Sequence, residues 1–345
     1  SRGLGDVYKR QVVEIGGMFL LGERLGRFFG WGWMESLFLG AIVSISSTTI
    51  IAKTLEGLGL LRQDFTRVIF GILIVEDVLA IGILGILTSL GTTGEAGWYV
   101  TMGTLVKLAA FFVSVAVGGF LLVPGLIRMA GQTRMDEVLL VTVLGLVFGL
   151  ALFSEKIGFS AALGAFLMGA VLAEVREVRR IERLTAPVKD LFSALFFTSS
   201  GMLMKFDLLP REIGQITAIT LTVILGKTLL SFAGALLGGC ELRGAIRSGM
   251  SLGQIGEFSF IIATLGVNLG ATSPRLYSLT VIVAAITTLT TPYLVQASAP
   301  CSEWVERRGP RPIVQFWKTY HAWLRSLQEA PWDKHRSAHL FVRKL

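Results

Sequence analysis

From Val12 to Val295 the chain is a succession of apolar runs, parted by short loops that hold Arg, Lys, Pro or paired glycines. A helix needs about 20 apolar residues to cross the hydrocarbon core of a bilayer. That rule marks about ten spans: Val12–Phe29, Trp33–Leu55, Val68–Leu90, Trp98–Ile127, Met135–Phe153, Phe159–Val175, Val188–Met204, Ile213–Leu237, Ala245–Leu269 and Leu276–Val295. Lipid tolerates only helices and closed barrels, and the period-two alternation of barrel strands is missing from these runs. The pattern therefore predicts an all-α polytopic membrane protein. The polar stretch 1–11 reads as a non-native or disordered leader, and 298–345 as a basic tail.

Three interruptions of the apolar pattern carry the chemistry. Glu76 and Asp77 stand side by side near the middle of the third span. Each ionisable group at a helix centre costs about 2.5–3.5 kcal/mol to insert, so the pair must face a polar cavity or a partner, and its natural cargo is a cation or a proton. One residue turns a helix by about 100°, so the two carboxyls face different directions and Glu76 is expected to serve as a partner to the site at Asp77. Lys227, inside the eighth span, is the evident counter-charge; snorkelling to a surface is the alternative.

The other two interruptions are the hydroxyl run Ser46, Ser47, Thr48, Thr49 in the second span and Gln254, Ile255, Gly256, Glu257 in the ninth. Hydroxyl clusters and glycine beside polar groups weaken the helical ladder, so both are predicted break points. Interrupted helices at matching positions in two halves point to an inverted-repeat transporter. Ser47, Thr48 and Thr49 offer oxygens to a partly dehydrated cation, with plain interhelical hydrogen bonding as the alternative. Glu257 is expected to cap backbone N–H groups at the second break rather than act as a cavity carboxylate. The series Ala161, Ala165 and Gly169 reads as a close-packing face.

Composition agrees and narrows the classes. The chain is 52% hydrophobic and 16% charged, and the net charge of +8 is explained by loops and tail near anionic lipid rather than by nucleic acid. Arginine-rich loops around Arg62, Arg128, Arg179 and Arg243 alternate with poorer ones, which places the former and the C-terminus in the cytoplasm. Cys240 and Cys301 have no CxxC or His spacing, and no zinc or cofactor motif occurs in the spans. The GKT at 226–228 is no phosphate loop, since Leu221 stands where its first glycine is needed. A GLGD at Gly3–Asp6 imitates an intramembrane aspartyl protease, but Asp6 lies outside any span.

The stretches SISSTTIIAKTLEGLGLL, RVIFGILIVEDVLAIGIL, GFSAALGAFLMGAVLAE, LFFTSSGMLM and SGMSLGQIGEFSFIIATLG resemble the monovalent cation:proton antiporter-2 family, which takes in sodium/proton exchangers and Kef-type potassium efflux systems. The resemblance runs from Val12 to about Gln296. It implies an antiporter fold with two crossing discontinuous helices, a moving core (12–90 and 211–297) and a dimer-forming scaffold (98–205). By it Asp77 matches the ion-binding aspartate and Lys227 the lysine that pairs with the first acid of the motif, where Glu76 departs from the usual Asn, Gln or Asp. It further implies H⁺ exchanged for Na⁺ or K⁺ in a bacterial or archaeal plasma membrane by a homodimer, no cofactor, and two or three helices preceding this chain. A Kef-type gated efflux system or channel is the rival reading, though no TVGYG-like filter is present.

Overall fold

The computed structural model describes residues 2–93, 98–133, 135–159, 161–202 and 208–308. Among these the regular structure is all helical: α1 Arg2–Phe28, α2 Trp33–Ser44, α3 Thr48–Gly57, α4 Asp64–Thr93, α5 Trp98–Gln132, α6 Asp136–Lys156, α7 Ala161–Ala173, α8 Val178–Met202, α9 Leu208–Leu221, a π-helical turn Thr222–Gly226, α10 Lys227–Leu237, α11 Leu242–Ser251, α12 Glu257–Asn268 and α13 Pro274–Arg308.

Six described segments are long and apolar enough to cross a membrane: Trp33–Gly57, Asp64–Thr88, Ala109–Gln132, Asp136–Lys156, Pro210–Leu237 and Pro274–Arg308. The chain is an integral membrane protein. The remaining predicted spans take other forms. Phe159–Val175 becomes the short α7, and Ala245–Leu269 becomes α11 and α12 with a gap between them. The predicted span beginning at Val188 falls on the apolar end of α8, which closes at Met202 and whose first turns carry Arg179, Arg180, Glu182 and Arg183. α1 continues back through the polar stretch to Arg2, and α13 continues past Pro292 and Pro300 to Arg308.

Two of the apolar clusters among the described residues are much larger than the rest. One joins α1, α2, α4, α9, α12 and α13 through residues such as Met18, Phe38, Ile42, Leu84, Ile219, Ile262 and Val283. The other joins α5 to α8 through Phe111, Val123, Val143, Leu167 and Ile181, and reaches the first side of the molecule only at Ile81 of α4 and Phe258. Backbones approach closely between α1 and α2, where a Cβ on Gly22 would lie 2.8 Å from the Gly40 Cα. The expected packing face on α7 is displaced in register: Ala161 and Gly169 are exposed. The close approach to α6 is made instead by Gly164, where a Cβ would lie 2.8 Å from the Ala151 Cα. On so uniformly apolar a helix the sequence pattern does not distinguish one face from another. The tail segment Ile313–Leu327, a candidate surface helix, lies outside the described residues.

Candidate functional site

The two interrupted helices meet at their interruptions. α2 ends at Ser44, whose hydroxyl donates back to the carbonyls of Gly40 and Ala41, both at 2.9 Å. Ile45 and Ser47 are extended, and α3 restarts with Ser47 as its cap, its Oγ accepting from the Ile50 N–H at 3.1 Å. This is the local chemistry that favours serine at a helix start. In the other segment the backbone leaves the helix after Ser251, and α12 begins at Glu257.

The Gly256 N–H donates to the Ile45 carbonyl at 3.2 Å, so each gap satisfies a backbone group of the other. Contact is so close that a Cβ on Gly256 would lie 2.6 Å from the Ser46 carbonyl oxygen and 2.8 Å from the Ser47 Cα. Glycine is required here for space. Ser259 closes the crossing by donating to the Ile42 carbonyl at 2.7 Å.

On one side of the crossing lies a sealed polar cluster. Lys227, fully buried, directs its ammonium to the Ser44 carbonyl at 3.0 Å, the Ser46 Oγ at 2.6 Å and Glu76 Oε1 at 3.3 Å. Glu76, also fully buried, accepts from the Ser46 N–H at 2.8 Å and from the Ser46 hydroxyl at 3.2 Å. The ammonium sits at the carbonyl end of α2, where a helix favours positive charge.

On the other side the cluster is partly open. Thr48, the first residue of α3, donates to Asp77 Oδ2 at 3.2 Å. Ser47 and Thr49 donate to the two oxygens of Glu257 at 2.6 and 3.2 Å. Thr48, Thr49, Asp77 and Glu257 are all half-buried, in contrast to their sealed neighbours. The described hydrogen-bond partners of Asp77 and Glu257 are thus hydroxyls. The first turns of α3 and α12 meet here with these two carboxyls, and helix N-termini favour negative charge. Glu257 takes hydroxyl donors from the opposite helix, not the backbone N–H groups expected of it.

The candidate ion-site and break-point residues lie at or beside this crossing: Ser47, Thr48, Thr49, Glu76, Asp77, Lys227, Gln254, Gly256 and Glu257. Two features were not anticipated. Glu14 of α1, 1% exposed, accepts from Ser231 Oγ at 2.5 Å. A carboxyl inside the first apolar run was the available signal for it. The second is the π-helical turn Thr222–Gly226, which delivers Lys227 to the crossing from the next residue. Such turns occur often at functional sites, and nothing in TVILG marks one. Gln254, fully buried in the second gap, has neither side-chain nitrogen nor oxygen bonded among the described residues.

Crossing gapped helices with charged groups buried at the crossing define a polytopic membrane protein with an intramembrane polar site. Residues 12–296 match the transmembrane sodium/hydrogen exchanger family, and the chain belongs to that family. YbaL of Escherichia coli, provisionally named a cation/proton antiporter, is 34% identical over 266 residues, 75% of this chain and 48% of that protein. The chloroplastic K⁺ efflux antiporter 3 of Arabidopsis thaliana is 30% identical over 277 residues, 79% of this chain and 36% of that protein. KhtU, a K⁺/H⁺ antiporter subunit of Bacillus subtilis, is 30% identical over 277 residues, 78% of this chain and 66% of that protein. The chain thus spans between about a third and two thirds of the length of these relatives. The family is one of transporters, not enzymes.

Proposed function

We propose that the chain is a secondary antiporter exchanging H⁺ for a monovalent cation, Na⁺ or K⁺, by alternating access, with Asp77 occupied in turn by proton and cation. The observation that carries this reading is the contrast between two adjacent carboxyls. Glu76 is sealed against Lys227, while Asp77 is half-buried with a threonine hydroxyl as its described partner. Hard cations take oxygen ligands, and Asp77, Thr48, Thr49, Ser47 and Glu257 present oxygens around the crossing. A proton and a cation compete for the same carboxylate lone pairs, which makes occupancy mutually exclusive. Relatives named for K⁺/H⁺ and Na⁺/H⁺ antiport support the same reading.

The remaining features fit as follows. α1, α7, α8 and the α11–α12 pair complete ten crossings, and α2–α3 with α11–α12 form the matching members of an inverted repeat. The cluster around the crossing is the moving core and the α5–α8 cluster the scaffold, which carries the homodimer contact. Arginine-rich loops and the C-terminus lie in the cytoplasm of a bacterial or archaeal cell.

The test is proton release on cation addition in proteoliposomes carrying a pH-sensitive dye. Asp77→Asn abolishes the response to Na⁺ and K⁺. Glu76→Gln leaves exchange measurable with altered pH or voltage dependence. Normal exchange by Asp77→Asn would remove the site assignment. Repeating the wild-type assay at a clamped potential settles the stoichiometry, since one net charge moved across 100 mV is worth about 2.3 kcal/mol.

A further inference from the structure

We propose that Lys53 of α3 and Asp190 of α8 are affinity-setting charges at one mouth of the crossing, the ammonium opposing an approaching cation and the carboxylate offsetting it. The inference rests on the reading above that the cation binds at Asp77.

Position along α3 leads to it. Thr48 and Thr49, in the first turn, donate to Asp77 and Glu257. Lys53 follows Thr49 by four residues, which puts it on the same helix face, about 6 Å further along the axis. Helical side chains lean towards the N-terminus, so the lysine stem is directed back over the turn that carries Thr49. The file from Asp77 through Thr49 to Lys53 also opens outward: the first two are half-buried, and the Lys53 side chain is 68% exposed. The other charge on α3, Glu56, stands one turn further from the crossing.

The partner comes from the other side of the molecule. Asp190 Oδ1 lies 3.9 Å from Lys53 Nζ, and its side chain is 64% exposed. α8 packs within the α5–α8 cluster, which takes in no residue of α3 among those described. The pairs Arg180–Asp136, Lys227–Glu76, Arg243–Glu303 and Arg275–Glu212 each join helices on one side. Lys53–Asp190 spans the two. A pair this long and this exposed contributes little to stability, so its consequence is the field it sets where a cation enters. Lys189, the flanking charge on α8, lies about 100° round that helix and lines its groove with α6 and α7.

The test reads the Na⁺ or K⁺ concentration that gives half-maximal proton release in proteoliposomes at low ionic strength. It compares wild type with Lys53→Gln, Asp190→Asn, the double variant and Asp77→Asn. A unit charge on the order of 10 Å from a cation, acting through a largely aqueous path, changes its affinity by about two- to fivefold. Lys53→Gln therefore lowers the half-maximal concentration by that factor, Asp190→Asn raises it, and the double variant returns close to wild type. Maximal rates and melting temperatures stay at wild-type values, and added choline chloride shrinks both shifts by screening. Shifts of the same sign in the two single variants would make the pair a mechanical tie between helices and overturn the proposal. Unmoved values, or shifts indifferent to salt, would overturn it too. If Asp77→Asn abolishes exchange alongside any of those results, antiport at Asp77 stands and the entrance charges alone are removed. Normal exchange by Asp77→Asn removes both.

Discussion

Replacing Lys227 with methionine keeps the length and apolar stem of the side chain and removes its charge, which isolates the ammonium's contribution. The change withdraws donors from the Ser44 carbonyl, the Ser46 hydroxyl and Glu76 at once. Breaking a fully buried ion pair by deleting one partner costs about 3–5 kcal/mol, because the other charge is left without compensation. Glu76 keeps both Ser46 donors, at 2.8 and 3.2 Å, which holds the electrostatic cost near the bottom of that range. The unpartnered Ser44 carbonyl at the end of α2 adds about 1 kcal/mol. Lys227→Met is therefore expected to lose about 3–4 kcal/mol of stability. Adding Glu76→Gln removes the stranded charge and recovers most of that loss, so the double-mutant cycle shows strong coupling. The assay is reversible unfolding in mixed micelles, followed by tryptophan fluorescence. A loss below about 1 kcal/mol for Lys227→Met, or a double variant no more stable than the single, would refute the buried-pair argument.

Two further predictions concern the second gap. Gly256→Val forces a branched side chain against the Ser46 carbonyl and Ser47 Cα, atoms of backbone that cannot swing aside. We expect a loss of about 1–3 kcal/mol together with loss of cation-induced proton release, measured by unfolding and in proteoliposomes. Gln254→Met removes two buried polar atoms without described partners at little change of volume. It is expected to stabilise the folded protein by about 1–2 kcal/mol in unfolding assays, and a destabilised variant would show that the amide is bonded in the folded state.

Much of the crossing was legible because it violates the composition around it. Glu76, Asp77 and Lys227 stand out as charges inside apolar runs, and the hydroxyl run at Ser46–Thr49 and the glycine at Gly256 mark where helices fail. Glu14 carries the same kind of signal, yet it lies close to the polar stretch 1–11, where a carboxyl costs little if the span starts later. The division between a sealed carboxyl and an open one was only half legible. The 100° turn separates Glu76 from Asp77, but which of them meets Lys227 depends on where α1, α4 and α10 stand around the break. The count of spans suffered for a related reason. Hydropathy sees the apolar half of α8 and the joined run from Ala245 to Leu269, whereas helix length is set by the charges of Arg179–Arg183 and by the gap before Glu257.

What the sequence determined by itself is the solvent and the intruders: a chain this apolar must be helical in lipid, and each ionisable residue within it must be paid for locally, residue by residue. Tertiary structure alone decided the partners. Ser47 meets Glu257 across 210 positions, Lys227 meets Glu76 across 151 and Ser231 meets Glu14 across 217. Burial cost is a property of a residue and its segment, so it can be read along the chain. Compensation for that cost is a property of distance in space, and it exists only once the two gaps have been brought into contact at Gly256, which has no Cβ to hold them apart.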